Sequence, residues 1–61
     1  MNAREVIRLL TNDGWQIKNQ VGSHKQFIHP LKKGKVTISQ KSKEEIPPKT
    51  LTSILRQAGL K

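Results

Sequence analysis

Residues 15–29 read WQIKNQVGSHKQFIH, and their side chains alternate between two faces with the period of a β-strand. Gly22 interrupts this alternation and predicts a turn between two strands. We place the second strand at Ser23 to His29, where Pro30 ends it. By the same alternation, one face of the first strand carries Trp15, Ile17, Asn19 and Val21.

Phe27 fixes the orientation of the second strand, because it is the largest apolar residue in it and is expected to point into the core. Alternation then places His24, Gln26 and Ile28 on the opposite face. After a loop at residues 31–34, a third strand is predicted from Lys35 to Ser39. The three strands form an antiparallel meander.

Two helical patterns flank the strands. Asn2 and Glu5 form a capping box at the start of the first helix, and Asn12-Asp13-Gly14 ends it. Its apolar face carries Ala3, Val6, Ile7, Leu9 and Leu10. Pro47 or Pro48 fits the first turn of the second helix. The apolar stripe of that helix carries Leu51, Ile54, Leu55 and Ala58.

The element order is therefore α-β-β-β-α, an α+β fold in one domain of 61 residues. We expect a three-stranded antiparallel sheet with both helices on one face and the polar segment Gln40–Glu45 as a solvated connection. The other face of the sheet is then left open, with His24 and Ile28 on it. An exposed isoleucine on that face suggests a covering partner.

The composition favours a polyanionic partner. Twelve lysines and arginines oppose four acidic residues, which gives a formal net charge of +8. There is no cysteine, and two histidines are too few for a usual zinc site, so we expect no metal and no small-molecule cofactor. No apolar stretch approaches the ~18 residues of a membrane span, and Arg4, Glu5 and Arg8 interrupt any signal-peptide core. A cytoplasmic protein with no membrane contact is expected.

His24 is the candidate catalytic group. Imidazole has an unperturbed pKa of about 6.5, which suits proton transfer near neutral pH. Cleavage of RNA without metal needs such a group, together with positive charge on the phosphate. A plain surface histidine is the competing interpretation. His29, just before Pro30, is expected to be structural, and Trp15 is expected in the core rather than stacked on a base.

Four segments in order resemble the HicA family, the small toxins of bacterial HicA–HicB toxin–antitoxin pairs, and the match covers essentially the whole chain. The segments are Leu9-Leu10 with Asp13-Gly14-Trp15, Gly22-Ser23-His24-Lys25-Gln26-Phe27 with His29-Pro30, Val36-Thr37-Ile38, and Leu51-Thr52-Ser53-Ile54-Leu55-Arg56-Gln57-Ala58-Gly59-Leu60.

This resemblance implies that residues 1–61 form a single HicA-like toxin domain with a double-stranded-RNA-binding-domain-like fold. It also implies cleavage of mRNA, with the catalytic histidine at His24, and inhibition by a HicB-like antitoxin that covers the active site. Many relatives follow the third strand with a proline and a second histidine, where this chain has Ser39-Gln40-Lys41. If that second histidine assists catalysis in the relatives, this chain must rely on Lys41 or on His24 alone.

Two interpretations follow. The first is a metal-independent endoribonuclease toxin with His24 as acid and base. The second is a non-catalytic module that binds RNA with a basic sheet face. A structural subunit without RNA contact would leave the charge unexplained. In either RNA-binding case the expected contacts are Ser23, Lys25, Lys32, Lys33, Lys35 and Lys41.

Overall fold

A computed structural model describes residues 1–61 and shows the predicted α-β-β-β-α order. The elements are α1 (Ala3–Asn12), β1 (Gln16–Val21), β2 (His24–Ile28), β3 (Val36–Ile38) and α2 (Pro48–Gln57). The strands form one antiparallel sheet in the order β1-β2-β3. Neither ten-residue helix is long and apolar enough to span a membrane.

Both helices pack on the same face of the sheet, as predicted. One cluster of ten buried residues joins α1, the sheet and α2: Ala3, Val6, Leu10, Trp15, Phe27, Val36, Ile38, Ile46, Ile54 and Ala58. The prediction that Leu9 belongs to the buried face of α1 is wrong, because its side chain is 40% exposed. Successive helix positions are about 100° apart, and this rotation turns Leu9 away from the face that buries Ala3, Val6 and Leu10.

The first turn of α1 is tied to the segment before α2. Asn2 and Glu5 form the predicted capping box. The backbone N–H groups of Ala3 and Arg4 donate to the carbonyls of Glu44 and Ser42, each at 3.0 Å. Segment 40–45 keeps its side chains largely in solvent, as expected, but its backbone completes the start of α1.

Ile46 is a core residue that was not predicted. Ile46 is only 2% exposed and joins the buried cluster. Its backbone N–H donates to the Met1 carbonyl at 3.0 Å, which fixes this residue beneath the start of α1. A single isoleucine between charged residues and a proline pair shows no periodicity, so the pattern of the sequence does not reveal its burial.

Strand β1 does not keep the same face along its length, and here the prediction is wrong. Ile17 pairs with Phe27, but the next pair is Asn19 with Gln26, because Lys18 lies in a β-bulge. Directly opposed residues point to the same side of a sheet. Ile17 therefore shares the helix-covered side with Phe27, whereas Asn19 and Val21 lie on the opposite side. We call that uncovered side the open face.

The turn between β1 and β2 has two residues, Gly22 and Ser23, since Val21 pairs with His24. Gly22 has φ of +60° and Ser23 does not have a positive φ. This is the pattern of a type II′ turn, which needs glycine at its first central position and matches the twist of the strands. The turn makes His24 the first residue of β2.

Candidate functional site

His24 lies on the open face, as predicted from the alternation of side chains along the strand of Phe27. It lines a shallow depression together with Asn19, Val21 and Gln26. Its ring is exposed, and the only imidazole that hydrogen-bonds within the protein is that of His29. Both ring nitrogens of His24 are therefore free to exchange protons with a bound molecule.

The pairing of β1 with β2 brings the four residues of this depression together. His24 pairs with Val21, and Gln26 pairs with Asn19. Opposed side chains have Cβ atoms about 5 Å apart, and diagonal neighbours about 7–8 Å. The imidazole is thus flanked by two carboxamides, whose NH₂ groups can donate hydrogen bonds to phosphate oxygens. No carboxylate lines the depression, so nothing there repels an anion.

Asn19 and Gln26 were not predicted as site residues. Alternation alone would place Asn19 beside Ile17 and Trp15, on the side turned to the core. Only the bulge at Lys18 moves Asn19 to the open face, beside Gln26. A bulge without glycine leaves no signal in a single sequence, so this part of the site becomes visible only through the strand register.

The predicted RNA contacts near His24 lie in two directions. Ser23 occupies the turn directly before it. Lys25 pairs with Ile38 and Gln20, which places it on the side covered by the helices. The structure thus separates Lys25 from His24, as strand parity predicts. That Ser23 and Lys25 contact RNA stays a prediction.

Lys32 has partners inside the fold. Its Nζ donates to Asp13 Oδ2 at 2.6 Å and to the Ala58 carbonyl at 2.9 Å, at the end of α2. The hydrogen bond from Lys32 holds the pKa of the Asp13 carboxyl below its usual value. Its ammonium thus joins the end of α1 to the end of α2, and its RNA contact stays a prediction.

His29 is structural, which confirms the prediction. Its Nδ1 accepts hydrogen bonds from the backbone N–H groups of Leu31 (3.0 Å) and Lys32 (3.1 Å). Nε2 therefore carries the ring hydrogen and donates to the Asp13 carbonyl at 2.6 Å. The ring also meets Trp15 edge-on, with centroids 5.2 Å apart. Trp15 is buried, as predicted.

A second concave surface lies between β3 and α2, away from His24. Lys35, one of the predicted contacts, lines it with Thr37 from β3. Helix α2 supplies Lys49, Thr50, Ser53, Ile54 and Gln57. These residues of α2 were not predicted as contacts, because their polar spacing is that of any solvated helix face. Lys33 and Lys41 are exposed, and neither takes part in a salt bridge.

Comparison with known proteins identifies the family of the chain. No curated protein matches the chain. The family model described as the HicA toxin of bacterial toxin–antitoxin systems matches residues 3–60, from the start of α1 to the residue after Gly59. Because that match spans nearly all of the 61 residues, the chain belongs to the HicA toxin family.

Proposed function

We propose that this toxin is a metal-independent endoribonuclease that cleaves mRNA, with His24 as its catalytic acid and base. The observation that carries the proposal is the state of His24. Its ring is exposed on the open face, beside two carboxamides, and makes no hydrogen bond within the chain. A histidine that stabilises the fold would hydrogen-bond within the chain through its ring nitrogens, as His29 does.

The proposed reaction uses the 2′-hydroxyl of RNA as the nucleophile. His24 takes the proton from that hydroxyl as O2′ attacks the adjacent phosphorus. The bond from phosphorus to O5′ breaks, and the protonated imidazole returns a proton to the leaving O5′. The products are a 2′,3′-cyclic phosphate and a 5′-hydroxyl end. The NH₂ groups of Asn19 and Gln26 stabilise the charge on the phosphate oxygens.

Positive charge supplies the remaining substrate binding. Ser23, Lys25, Lys32, Lys33, Lys35 and Lys41 are the proposed contacts, and the structure distinguishes them by how available each charge is. Lys33, Lys35 and Lys41 are exposed and take part in no salt bridge, whereas Lys32 is bound to Asp13. Lys41 follows β3 and is also the candidate for a second proton donor.

We propose a HicB-like antitoxin as the inhibitor, bound over the open face. Val21 pairs with His24, and Ile28 lies at the other end of β2 on the same face; they are 70% and 36% exposed. Apolar side chains left in water on the face of the catalytic group favour a protein that covers this face. Val21→Asp is expected to weaken antitoxin binding, and Leu31→Asp, in a 90% exposed loop position, is the matched control. Equal weakening by both variants would contradict this placement.

The decisive test compares two oligonucleotides of the same sequence, one of RNA and one with 2′-deoxyribose throughout. Antitoxin-free protein is incubated with each in EDTA. The proposal expects cleavage of the RNA alone, with cyclic phosphate ends identified by mass spectrometry. Cleavage of both strands, or of neither, would overturn it, because the proposed nucleophile is the 2′-hydroxyl.

The alternative function is a non-catalytic RNA-binding module. One observation favours it: His24 is the only titratable residue in its depression. On this hypothesis His24→Ala keeps toxicity and RNA affinity, and loss of lysines weakens binding with a flatter salt dependence. The enzyme hypothesis expects the reverse, with growth arrest lost in His24→Ala and antitoxin binding retained.

A further inference from the structure

We propose that the groove between β3 and α2 is a second RNA subsite, which holds the phosphate backbone of the substrate strand outside the cleavage position. The inference rests on the proposed ribonuclease function and adds a substrate property to it. The toxin then requires a strand long enough to reach both His24 and this groove, and its affinity increases with RNA length.

The lining of the groove fits a polyanion. Two lysines, Lys35 and Lys49, stand on its two sides, one before β3 and one in the first turn of α2. Neither takes part in a salt bridge, and no acidic residue lines the groove. Both charges are therefore available to a ligand.

Four neutral lining residues, Thr37, Thr50, Ser53 and Gln57, are hydrogen-bond donors. Thr50, Ser53 and Gln57 follow one another at spacings of three and four residues, which places them on one side of α2. A seven-residue separation corresponds to about 10 Å along a helix axis. The donors thus form a row along the groove, suited to successive phosphates rather than to one small anion.

The groove connects to the open face through β3. Thr37 lines the groove and pairs with Gln26, which lines the depression around His24. Neighbouring strands are about 4.8 Å apart, so crossing from Gln26 to Thr37 takes one such step. An RNA strand leaving His24 across the sheet meets the donor groups of Gln26 and Thr37 before it reaches Lys35 and Lys49.

An acidic protein segment is the competing occupant, and the lining does not favour it. Ile54 is the only apolar residue in the groove, and it is 4% exposed. Protein interfaces need an apolar centre that excludes water, which this groove does not offer. Hydroxyl, amide and ammonium donors without apolar contacts are the chemistry of backbone recognition in nucleic acids.

The test measures binding of RNA oligonucleotides of four and twelve nucleotides to His24→Ala protein, which prevents cleavage. Lys35→Gln/Lys49→Gln is compared with Arg8→Gln/Lys61→Gln, which removes the same charge from exposed positions outside both surfaces. For the twelve-nucleotide RNA we expect about tenfold weaker binding by the groove variant only. Its salt slope should fall by about 1.4, since each lost contact to a single strand removes about 0.7.

Lys49→Gln alone should give about half of that change in slope, which tests the contribution of α2 separately. Two results would overturn the inference while leaving the ribonuclease intact: equal effects of the groove and control variants, or a groove effect on antitoxin binding without one on RNA. If no variant binds RNA and the wild type cleaves none, the proposed function itself fails.

Discussion

The two histidines lie five residues apart, at opposite ends of the same strand, and they have opposite surroundings. His24 begins β2, is exposed, and has no hydrogen bond from its ring within the chain. His29 follows β2, is nearly buried, and uses both ring nitrogens to hold Asp13, Leu31 and Lys32. The same side chain thus stabilises the fold at one end of the strand and is available for chemistry at the other.

The difference comes from what each end of β2 meets. The turn at Gly22 and Ser23 is tight and contributes no side chain that reaches the His24 ring. At the other end, α1 finishes beside His29, and its last carbonyl groups need donors. His29 supplies one at Asp13. A strand end that closes the core therefore binds its histidine, whereas a strand end in solvent leaves it free.

The largest effect that this contrast predicts is on catalysis. Replacing His24 by alanine should lower RNA cleavage by about a hundred- to ten-thousandfold, the usual contribution of a positioned acid or base. Stability should change by less than about 0.5 kcal/mol, as for other surface substitutions. Cleavage is followed on a labelled RNA and stability by urea unfolding, with Arg8→Gln as a control of unchanged rate. A clear loss of stability in His24→Ala would show that His24, like His29, stabilises the fold, and would contradict the difference between the two histidines.

His29→Ala should show the opposite effect. It leaves the N–H groups of Leu31 and Lys32 and the Asp13 carbonyl without their partner, which should cost about 2–4 kcal/mol of unfolding free energy. The cleavage rate per folded molecule should be unchanged. His29→Asn is the matched variant, because its side-chain oxygen can replace Nδ1 as the acceptor. We expect it to recover part of the loss, and equal losses would argue against the hydrogen bonds as the cause.

Two glycines sharpen the same comparison. A Cβ on Gly14, which has φ of +103°, would lie 2.8 Å from His29 Nε2, whereas a Cβ on Gly22, at φ of +60°, would meet nothing within 4 Å. Both alanine variants carry backbone strain, but only Gly14→Ala also displaces His29. We therefore expect Gly14→Ala to be less stable than Gly22→Ala by about 1–2 kcal/mol, within the range of strained non-glycine residues. Thermal unfolding of the two variants measures this directly.

The smallest effect concerns pH and Asp13. Its pKa is lowered in the folded protein by the Lys32 hydrogen bond. The resulting stabilisation is present above the unfolded carboxyl pKa of about 3.9, and it is lost as the pH falls through the lowered folded value. The Asp13→Asn variant lacks this pH-dependent stabilisation but keeps the backbone carbonyl to which His29 donates. Urea midpoints at pH 6 and pH 3 should therefore differ more in the wild type than in the variant. Parallel changes in both would mean that the ion pair contributes nothing.

Much of the fold could be predicted because local signals agree with it. The capping box at Asn2 and Glu5, the proline pair at the start of α2 and the apolar stripe of α2 each use contacts within a few residues. The open position of His24 also followed from local pattern, through the parity of Phe27. These are short-range effects, so a single sequence contains them.

What could not be predicted depends on long-range pairing. The bulge at Lys18, the burial of Ile46 and the partners of Lys32 join residues far apart in sequence. Lys32 in particular looks like any exposed loop lysine until Asp13 and the end of α2 are placed beside it. The groove of Lys35 and Lys49 has the same character, because β3 and α2 supply opposite sides of it.

The bulge at Lys18 has a consequence for how such a toxin can change. Ile17 precedes it and faces the helices, whereas Asn19 and Val21 follow it and face outward beside His24. Deleting Lys18 would close the bulge and leave Ile17 opposite Phe27 and Asn19 opposite Gln26, so neither residue would change sides. Strand β1 can thus gain or lose one codon at this position while the residues beside His24 and those of the buried cluster stay the same.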